Sequence, residues 1–429
     1  MVATVVTRFY FALARKGWDD PHNKMLRVVT FAALCAFSVA CTTNEDCSLL
    51  GKCSGGSCTC FPGWTGVACS RADLAPLDPT LGYHNSSASS WGGRAILDPK
   101  SGRWQLLATE IARQCPLIMF EYNSQVIRAV SDGGPGGPYR HAEVILPPFH
   151  HNPTIAGPTP DGMYLLFYIG ADNVTNEQDC SGASLPFVPL PCSPRCTNGS
   201  FARQNQDSNQ YITMAWTADL VAGPWKQRVV LRDNHGNPNS WHCSENNPAA
   251  HILPNGTVVL VYRANACNAS APTHGEHLGV AVADHWSAEF VRDDGFIMAP
   301  EDPAVSHGTN NEDPFLFALP DGSWHIVSHQ QSAGNLCGTK DAGSSCGAHF
   351  WARNPHGPWT MSPEAVYDEN VTLVNGSAAR FQTRQRPQLV FAADGSYRPL
   401  FLFTSGSFDG SNDNLAITTH TYAHAFKSD

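Results

Sequence analysis

The feature that most constrains this fold is a short polar-then-apolar unit that recurs along the chain. In its clearest copy, polar residues 310–313 end at Pro314, an apolar run follows, and Pro320-Asp321-Gly322 leads into a second apolar run. This turn favours a β-hairpin, because proline presets φ and glycine supplies a positive φ. The polar cluster is therefore predicted to lie at the start of the hairpin's first strand.

Four other copies keep the same order of polar cluster, turn and second apolar run. Their three parts lie at residues 90–93, 98–102 and 104–107; 150–153, 160–162 and 163–167; 245–248, 254–256 and 258–261; and 384–387, 394–395 and 400–403. The five copies begin about 60–95 residues apart, and this regularity indicates an internal repeat built from one supersecondary unit.

A second recurring element follows three of the hairpins. A strand-like run leads into a Gly-Pro-aromatic corner at residues 137–139, 223–225 and 357–359. The third and fifth units carry a strand-like run without that corner, at residues 278–283 and 414–419. Each unit therefore holds a hairpin plus at least one more strand, as a propeller blade requires. The sequence predicts an all-β fold, a five-bladed β-propeller that occupies residues 83–425.

Composition is consistent with many short strands and excludes two classes of partner. The chain has 36 glycines and 31 prolines among 429 residues, and only 15% of its residues are charged. The net charge is −10, and the sequence contains no basic run. We therefore expect no nucleic acid partner and no attraction to anionic membrane surfaces.

The N-terminal 40 residues are interpreted as an upstream extension followed by a secretory signal peptide. Met25, Leu26 and Arg27 precede an apolar run from Val28 to Ala40 that ends in small residues. A charged lead, a short apolar core and small residues at the cleavage point are typical of such signals. The run is short for a membrane span, although an uncleaved N-terminal anchor is the alternative. We expect a secreted, extracellular chain with no membrane span after signal cleavage.

Cysteines and glycosylation sequons agree with an oxidising compartment. Cleavage after residue 40 would remove one of the 15 cysteines and leave an even number. The Asn-X-Ser/Thr sequons predict glycosylation of a secreted chain at Asn85, Asn173, Asn198, Asn255, Asn268, Asn370 and Asn375.

Residues 41–70 form a small module with six closely spaced cysteines. So short a segment cannot bury a sufficient core, and disulfides must constrain its unfolded state. The cysteine spacing and the run Cys60 to Cys69 resemble an EGF-like module over its full length. That resemblance implies the pairs Cys41–Cys53, Cys47–Cys58 and Cys60–Cys69.

The EGF-like resemblance also bears on ligands and partners. Calcium-binding modules carry an acidic signature before the first cysteine, and this chain lacks it, so we expect no calcium there. A protein-contact role and a role as a plain spacer both stay open for the module. Residues 71–82 are interpreted as a linker that enters the propeller.

The remaining cysteines predict further bridges. Residues 171–209, between the second and third units, form an insertion rich in Cys, Pro, Asn and Ser. A long irregular loop of this kind is usually tied down locally, so Cys115 is predicted to pair with one of the three insertion cysteines. We also predict the bridges Cys243–Cys267 and Cys337–Cys346.

In a propeller the first strand of each blade lines the central axis, so polar clusters far apart in sequence converge on one mouth. The predicted substrate-binding side chains are His151, Asn152, Asn246, Asn247, Asn311 and Arg386, with Trp91, Trp241 and His242 as faces for stacking. Amides, imidazoles and charged groups suit a hydroxyl-rich ligand, because each sugar hydroxyl both donates and accepts. The alternative is structural, because Asx-Pro before a strand is ordinary turn chemistry.

The repeated polar-Pro, strand, Asp-Gly, strand unit and the Gly-Pro-Trp corners resemble the five-bladed propellers of glycoside hydrolase family 43 and its relatives. That resemblance implies an Asp base, a second Asp that tunes the acid, and a Glu acid, acting with inversion. By position, the acid matches Glu312, the tuning Asp matches Asn247, and the base falls near Trp91. Because this chain has no carboxylate at the last two positions, Asp313, Glu245 or His84 would have to serve as the base, or the site binds sugar without cutting it.

The sequence therefore predicts a secreted carbohydrate-active protein, a glycoside hydrolase acting on a poly- or oligosaccharide with Glu312, Asp313 and Glu245 as catalytic candidates. The alternative is a non-catalytic carbohydrate-binding or cell-surface interaction protein on the same propeller. We expect carbohydrate as the main partner, with a protein partner for the EGF-like module as a further hypothesis. No cofactor is expected, and no tight His, Cys or carboxylate spacing indicates a metal.

Overall fold

The computed structural model describes residues 40–170, 177, 179–180, 211–232, 244–265, 276–293, 311–330, 336, 346–408 and 419–428. Several sequence-based predictions lie outside these residues. They concern the signal peptide, most of the insertion at 171–209, and the residues Trp241, His242, Cys243, Cys267, Cys337, Asn173, Asn198 and Asn268.

The N-terminal module is built from a 3₁₀ helix and two small antiparallel sheets. In chain order its elements are the helix Asn44–Cys47 and the strands β1 (Gly51–Ser54), β2 (Ser57–Cys60), β3 (Trp64–Thr65) and β4 (Arg71–Ala72). Strand β1 pairs with β2, and β3 pairs with β4. The disulfides are Cys41–Cys53, Cys47–Cys58 and Cys60–Cys69. The pairing implied by the EGF-like resemblance is therefore confirmed.

The rest of the described chain contains five four-stranded antiparallel sheets, which are the blades of the predicted propeller. Strand β5 (Gly82–Tyr83) comes first. Blade one consists of β6 (Ser90–Asp98), β7 (Arg103–Ile111), β8 (Ser124–Ser131) and β9 (Arg140–Leu146). A 3₁₀ turn (Leu117–Met119) and the short helix α1 (Phe120–Asn123) join β7 to β8. Blade two consists of β10 (His150–Ala156), β11 (Tyr164–Gly170), β12 (Ile212–Thr217) and β13 (Lys226–Leu231).

The other blades follow in chain order. Blade three consists of β14 (Ser244–Ile252), β15 (Val258–Asn265), β16 (Glu276–Ala283) and β17 (Val291–Arg292). Blade four consists of β18 (Asn311–Ala318), β19 (Trp324–Gln330), β20 (Cys346–Ala352) and β21 (Thr360–Met361). A separate hairpin of β22 (Asn370–Thr372) and β23 (Ala378–Arg380) precedes β24 (Thr383–Phe391), β25 (Pro399–Ser407) and β26 (His420–Ala425). In the described part of the chain, no helix reaches the length and apolarity needed to cross a membrane.

The first strand of every blade lies at the axis. Strands β6, β10, β14, β18 and β24 contact one another in that cyclic order. The second strand of each blade lies between the first and third strands of its sheet, and β11 and β19 are buried along their whole length. Because both faces of such a strand are covered, its sequence is a continuous apolar run instead of an alternating one. This is why the hairpins were recognisable in the sequence.

The fifth blade is completed by the N-terminal end of the propeller. Strand β5 pairs with β26, with Gly82 opposite Tyr422 and Tyr83 opposite Thr421. Strands from the two ends of the chain therefore share one sheet. Such a closure joins the first and last blades, and it leaves no long unpaired strand edge between them.

The segment interpreted as a linker, residues 71–82, is held against the propeller. Leu74 forms an antiparallel bridge with Phe426, and Leu77 forms a parallel bridge with Leu373. Residues 71–72 and 82 also belong to β4 and β5. The segment is therefore fixed to the propeller, because its backbone groups bond to it at several points.

The insertion begins after β11 and ends before β12, so it lies inside blade two and not between two units. Cys115, in the β7–β8 connection, is bonded to Cys180. The prediction that Cys115 pairs with an insertion cysteine is therefore confirmed. Cys346 is also disulfide-bonded, and its predicted partner Cys337 lies outside the described residues.

The EGF-like module shares a hydrophobic core with blades four and five. Trp64 is only 6% exposed, and its ring stacks on Phe317 with 6.5 Å between centroids. The same ring lies 6.0 Å from the ring of His349 and 6.1 Å from that of Phe426. The module therefore packs on the propeller. A plain spacer would not share a hydrophobic core in this way.

Polar contacts surround this apolar interface. The Glu364 carboxylate accepts hydrogen bonds from the backbone N–H groups of Val67 (3.0 Å) and Ala68 (2.7 Å). Arg353 donates to Glu45 at 2.6 Å at the edge of the interface. A carboxylate that caps two backbone donors also fixes the orientation of the module, because both bonds must form together.

We predict that Trp64→Ala destabilises the whole described chain, including the propeller. Replacing a buried aromatic side chain by alanine costs about 3–5 kcal/mol through lost contacts and the cavity left behind. Urea unfolding followed by intrinsic fluorescence of the propeller tryptophans measures this loss. Val67→Ala is the matched control, because Val67 is 77% exposed. Equal unfolding midpoints for Trp64→Ala and wild type would mean that the module is not part of the core.

Candidate functional site

Each inner strand contains a β-bulge at the same place, and the polar-Pro motif of the sequence marks it in four of the five blades. The register of the inner strands breaks between Trp91 and Arg94, His151 and Thr154, Asn246 and Ala249, Glu312 and Phe315, and Gln385 and Gln388. One residue in each bulge has a left-handed backbone, namely Gly92, Asn152, Asn247, Asp313 and Arg386, with φ of 64°, 55°, 49°, 56° and 59°. Asn and Asp tolerate this region better than most residues, whereas an Arg there needs support from its surroundings.

The four side chains at these bulges meet at the axis and bond to one another. Asn152 Nδ2 donates to Asn247 Oδ1 at 2.7 Å, and Asn247 Nδ2 donates to Asp313 Oδ1 at 2.7 Å. Arg386 Nη1 donates to the same Asp313 oxygen at 2.7 Å, and Nη2 donates to the backbone oxygen of Asn152 at 3.2 Å. We call these four residues the axial ring. At the fifth position, a Cβ on Gly92 would lie 3.2 Å from Arg386 Nε, so glycine leaves room for the guanidinium.

The axial ring is a structural hub. All four side chains are buried, and each contributes to bonds that close on themselves. Burial raises the pKa of Asp313 above its usual value, while Arg386 opposes that rise. The convergence that the repeat predicts is found. The bonds within the ring engage both amide groups of Asn247, but Asn152 Oδ1 and Arg386 Nε have no hydrogen-bond partner within the described chain. Contact of these three side chains with a substrate stays a prediction.

A second cluster lies beside the ring, between blades three and four. Arg263 Nη1 donates to Glu312 Oε2 at 2.6 Å, and Arg263 Nη2 lies 2.8 Å from Glu276 Oε1. His329 Nδ1 lies 3.1 Å from the other oxygen of Glu312. We call Arg263, Glu276, Glu312 and His329 the acid cluster. It joins strands β15 and β16 of blade three to β18 and β19 of blade four.

The two carboxyl groups on Arg263 lie in different electrostatic surroundings. Burial raises the pKa of Glu276 to about 7, although the positive charge of Arg263 opposes the rise. Glu312 contacts both Arg263 and His329. Glu276 and Glu312 thus share one guanidinium, and the negative charge of Glu312 is a further cause of the raised pKa of Glu276.

The same region offers ligands of the kind that hold a metal ion. Ligand atoms of Glu312, Asp313 and His329 lie within 4.8 Å of one another. Residue spacing does not predict this grouping, because His329 comes from the second strand of the blade. Arg263 and Arg386 already neutralise both carboxylates, which weakens their attraction for a cation.

Two other predicted contacts lie beneath the β7–β8 connection. Trp91 is buried among Ile111, Leu117 and the Cys115–Cys180 disulfide. The His151 ring lies 4.7 Å from the Phe120 ring, and burial lowers the pKa of His151 well below its usual value. The stacking role predicted for Trp91 is therefore not supported, because described residues cover the ring that a sugar would have to reach.

Glu245 and His84 also lie away from the ring. Both oxygens of Glu245 are bound by Arg292, at 2.5 and 2.6 Å, and the Glu245 side chain is fully buried. His84 packs against His420 and Tyr422 on the outer part of blade five. Neither geometry favours the role of catalytic base that the sequence left open for these two residues.

The remaining predicted contacts lie at the mouth beside the bulges. Asn246 and Asn311 are buried at the start of β14 and β18, and Asn311 Oδ1 accepts a hydrogen bond from Ser328 at 3.2 Å. Trp241 and His242 lie outside the described residues. Sequence reasoning missed Arg263, Glu276 and His329, although a charged residue inside an otherwise apolar strand, as Arg263 is in β15, is a signal that could have found them.

The described sequons differ in their surroundings. Asn255, Asn370 and Asn375 are exposed, as an attached glycan requires. The Asn85 Nδ2 group instead donates to Glu110 Oε2 at 2.9 Å in a half-buried position. Glycosylation at these four residues stays a prediction, and Asn85 is the site that the folded structure favours least.

We predict that Asn247→Asp destabilises the chain by about 2 kcal/mol or more, because a buried donor to Asp313 becomes a second carboxyl group. Two facing carboxylates raise each other's pKa. The loss in free energy of unfolding is therefore largest at neutral pH, where both would be ionised, and it shrinks as acid protonates them. Urea unfolding at pH 7 and pH 4 measures this difference. The exposed Asn354→Asp is the control, because Asn354 only accepts a bond, from the His356 N–H. A loss for Asn247→Asp that is equal at both pH values would contradict the ring.

Comparison with known proteins gives one sequence match and several structural ones. Residues 44–72 match the family model of the Teneurin-like EGF domain. No curated protein matches the chain by sequence. Among solved structures, an endo-arabinase from Bacteroides thetaiotaomicron has 11% identity over 81% of this chain and 98% of that chain, with a TM-score of 0.49. An α-L-arabinofuranosidase from Podospora anserina has 10% identity over 84% of this chain and 99% of that chain, also with a TM-score of 0.49.

A thermostable family-43 glycoside hydrolase has 13% identity over 81% of this chain and 94% of that chain, with a TM-score of 0.48. The chain thus joins an EGF-like module to a five-bladed β-propeller, and its structural neighbours include family-43 glycoside hydrolases.

Proposed function

We propose that this chain is a secreted glycoside hydrolase that cleaves a poly- or oligosaccharide by acid and base catalysis at the acid cluster. The observation that carries the proposal is the pair Glu276 and Glu312 on the guanidinium of Arg263, at 2.8 and 2.6 Å. Glycoside hydrolysis uses two carboxyl groups, of which one carries a proton and the other is ionised. The pKa of about 7 for Glu276 supports its role as proton donor at neutral pH.

Glu312 is a catalytic candidate in the sequence analysis and is also a member of the acid cluster. The family-43 resemblance implies that Glu312 is the acid, whereas the raised pKa of Glu276 favours Glu276 as the proton donor and leaves the other role to Glu312. Asp313 is engaged by Arg386 and Asn247 in the axial ring. We therefore assign Asp313 to tuning the charge of Glu312, and Glu276 and Glu312 to the two catalytic roles.

The proposed substrate is rich in hydroxyl groups. The side-chain oxygens of Asn246 and Gln330 are buried and accept no hydrogen bond within the described chain. Both residues lie at the mouth end of blades three and four, next to the acid cluster. Unfilled carbonyl acceptors suit sugar hydroxyls, because each hydroxyl can donate one bond.

Secretion is part of the proposal. Four disulfides in the described chain, three in the EGF-like module and one between Cys115 and Cys180, suit an oxidising compartment. The charged lead and short apolar run before Cys41 support export by a signal peptide.

We predict that the purified protein releases reducing sugar from at least one of arabinan, xylan and galactan fragments. Glu312→Gln and Glu276→Gln should each lower kcat about 10²–10⁴-fold, the usual contribution of a positioned acid or base. Glu143→Gln is the control, because Glu143 is an exposed carboxylate paired with Arg128. Full activity in either cluster variant would remove that residue from the mechanism.

The assignment of Glu276 as proton donor also predicts how the reaction rate depends on pH. The rate should fall as pH rises above about 7, because Glu276 then loses the proton that the leaving group needs. A pH profile of kcat for the wild type measures this limb. A rate that stays constant from pH 6 to pH 9 would contradict the assignment of Glu276.

A non-catalytic carbohydrate-binding protein is the second candidate. It is favoured by the five bulge residues that have a left-handed backbone, because only one of them, Asp313, is acidic. In that case a glycan array would give a signal, the panel of polysaccharides would show no turnover, and Glu312→Gln would keep its affinity within a few fold. A blank array together with no turnover would contradict both candidates.

A further inference from the structure

Past the axial ring, a second set of residues occupies the equivalent position on all five inner strands. These residues follow the left-handed residue of each bulge by two positions, and they are Arg94, Thr154, Ala249, Phe315 and Gln388. We call them the second level. Each is the first residue after its bulge that pairs with the second strand of its blade.

Contacts at the second level cross the axis. The Arg94 guanidinium lies 5.0 Å from the centre of the Phe315 ring in blade four, and Nη1 donates to the backbone oxygen of Ile155 at 2.8 Å. Thr154 Oγ1, in blade two, donates to Gln388 Oε1, in blade five, at 3.2 Å. Because blades two and five flank blade one, this bond passes in front of the strand that carries Arg94. Arg94 and Gln388 are therefore neighbours on the axis.

Arg94 carries a charge that no described carboxylate neutralises. Burial lowers its pKa to about 10, and no acidic group opposes that effect. Arg386 and Arg292 have carboxylate partners, Asp313 and Glu245, whereas the buried Arg384 is held by the Asp368 backbone oxygen and His424. An enclosed cation is stable only with a counter-ion or a full set of acceptors, because its lost hydration must be replaced.

Further hydrogen-bond donors around Arg94 are unused. Gln388 is fully buried, and its Nε2 group has no acceptor in the described chain. The Nε group of Arg386, directly above, also lacks an acceptor and lies beside Gly92 of the strand that carries Arg94. The region thus presents positive charge and N–H donors. Within the described chain, no negative group balances that charge or accepts those hydrogen bonds. His251, one level further down, adds no negative charge, and both burial and Arg94 lower its pKa to about 4.

We propose that the second level binds a small monovalent anion, a halide such as chloride, between Arg94 and Gln388. A halide accepts several N–H bonds without needing a donor in return. It supplies the counter-charge that no described carboxylate gives to Arg94. Arg94 is partly exposed, so ions from the solvent can reach its side chain. This anion is structural and is independent of any activity at the acid cluster.

The first test measures Tm in sodium chloride against sodium gluconate at constant ionic strength. Wild type should show a saturable rise of about 2 °C or more, because an ion that binds only the folded state stabilises it. Arg94→Met should lose the chloride response. Arg384→Met is the control, because Arg384 is a buried arginine that is held by the Asp368 backbone oxygen and His424. An equal response in wild type and Arg94→Met, or none in wild type, overturns the proposal.

The second test does not depend on a variant that must fold. Crystals of the wild-type protein grown in sodium bromide should show a bromine anomalous peak within hydrogen-bond distance of Arg94 and Gln388 Nε2. A peak there, displaced by chloride, supports the halide site. Density for water alone, without an anomalous signal, overturns it.

Discussion

The ion pair between Asp313 and Arg386, extended by the amides of Asn247 and Asn152, joins the inner strands of four blades at the axis. Each of these residues has a left-handed backbone at a β-bulge. Such a conformation costs free energy for a residue with a side chain, and the surroundings must offset that cost. The ring bonds do so in part, and they fix the register of all the strands that lead from the bulges to the mouth and to the second level.

The ring also explains where reactive chemistry can lie in this propeller. Because Asp313 is engaged at the hub, its neighbour Glu312 is turned to the space between blades three and four. There it meets Arg263 and His329, and through Arg263 it is linked to Glu276. On the other side of the mouth, the β7–β8 connection covers Trp91 and His151. The proposed active site is therefore off the axis, whereas the axis itself is filled by structural side chains.

The sequence predicted the fold well, because its signals are local. Prolines at four of the five bulges, Asp-Gly turns and continuous apolar second strands are all properties of neighbouring residues. The EGF-like disulfides followed from a resemblance of cysteine spacing. The docking of Trp64 and the pairing of β5 with β26 could not be predicted in this way, because they depend on which surfaces meet in three dimensions. The acid cluster was missed for the same reason: Glu276 and Glu312 are joined only through Arg263, on a third strand.

A double-mutant cycle between Asp313→Asn and Arg386→Gln tests the central claim most directly. These residues are far apart in sequence, and they touch only if the inner strands of blades four and five meet at a shared axis. The account predicts a coupling free energy of unfolding of about 1 kcal/mol or more, because each variant leaves the other group unpaired in a buried place. Additive losses, with a coupling free energy near zero, would contradict it.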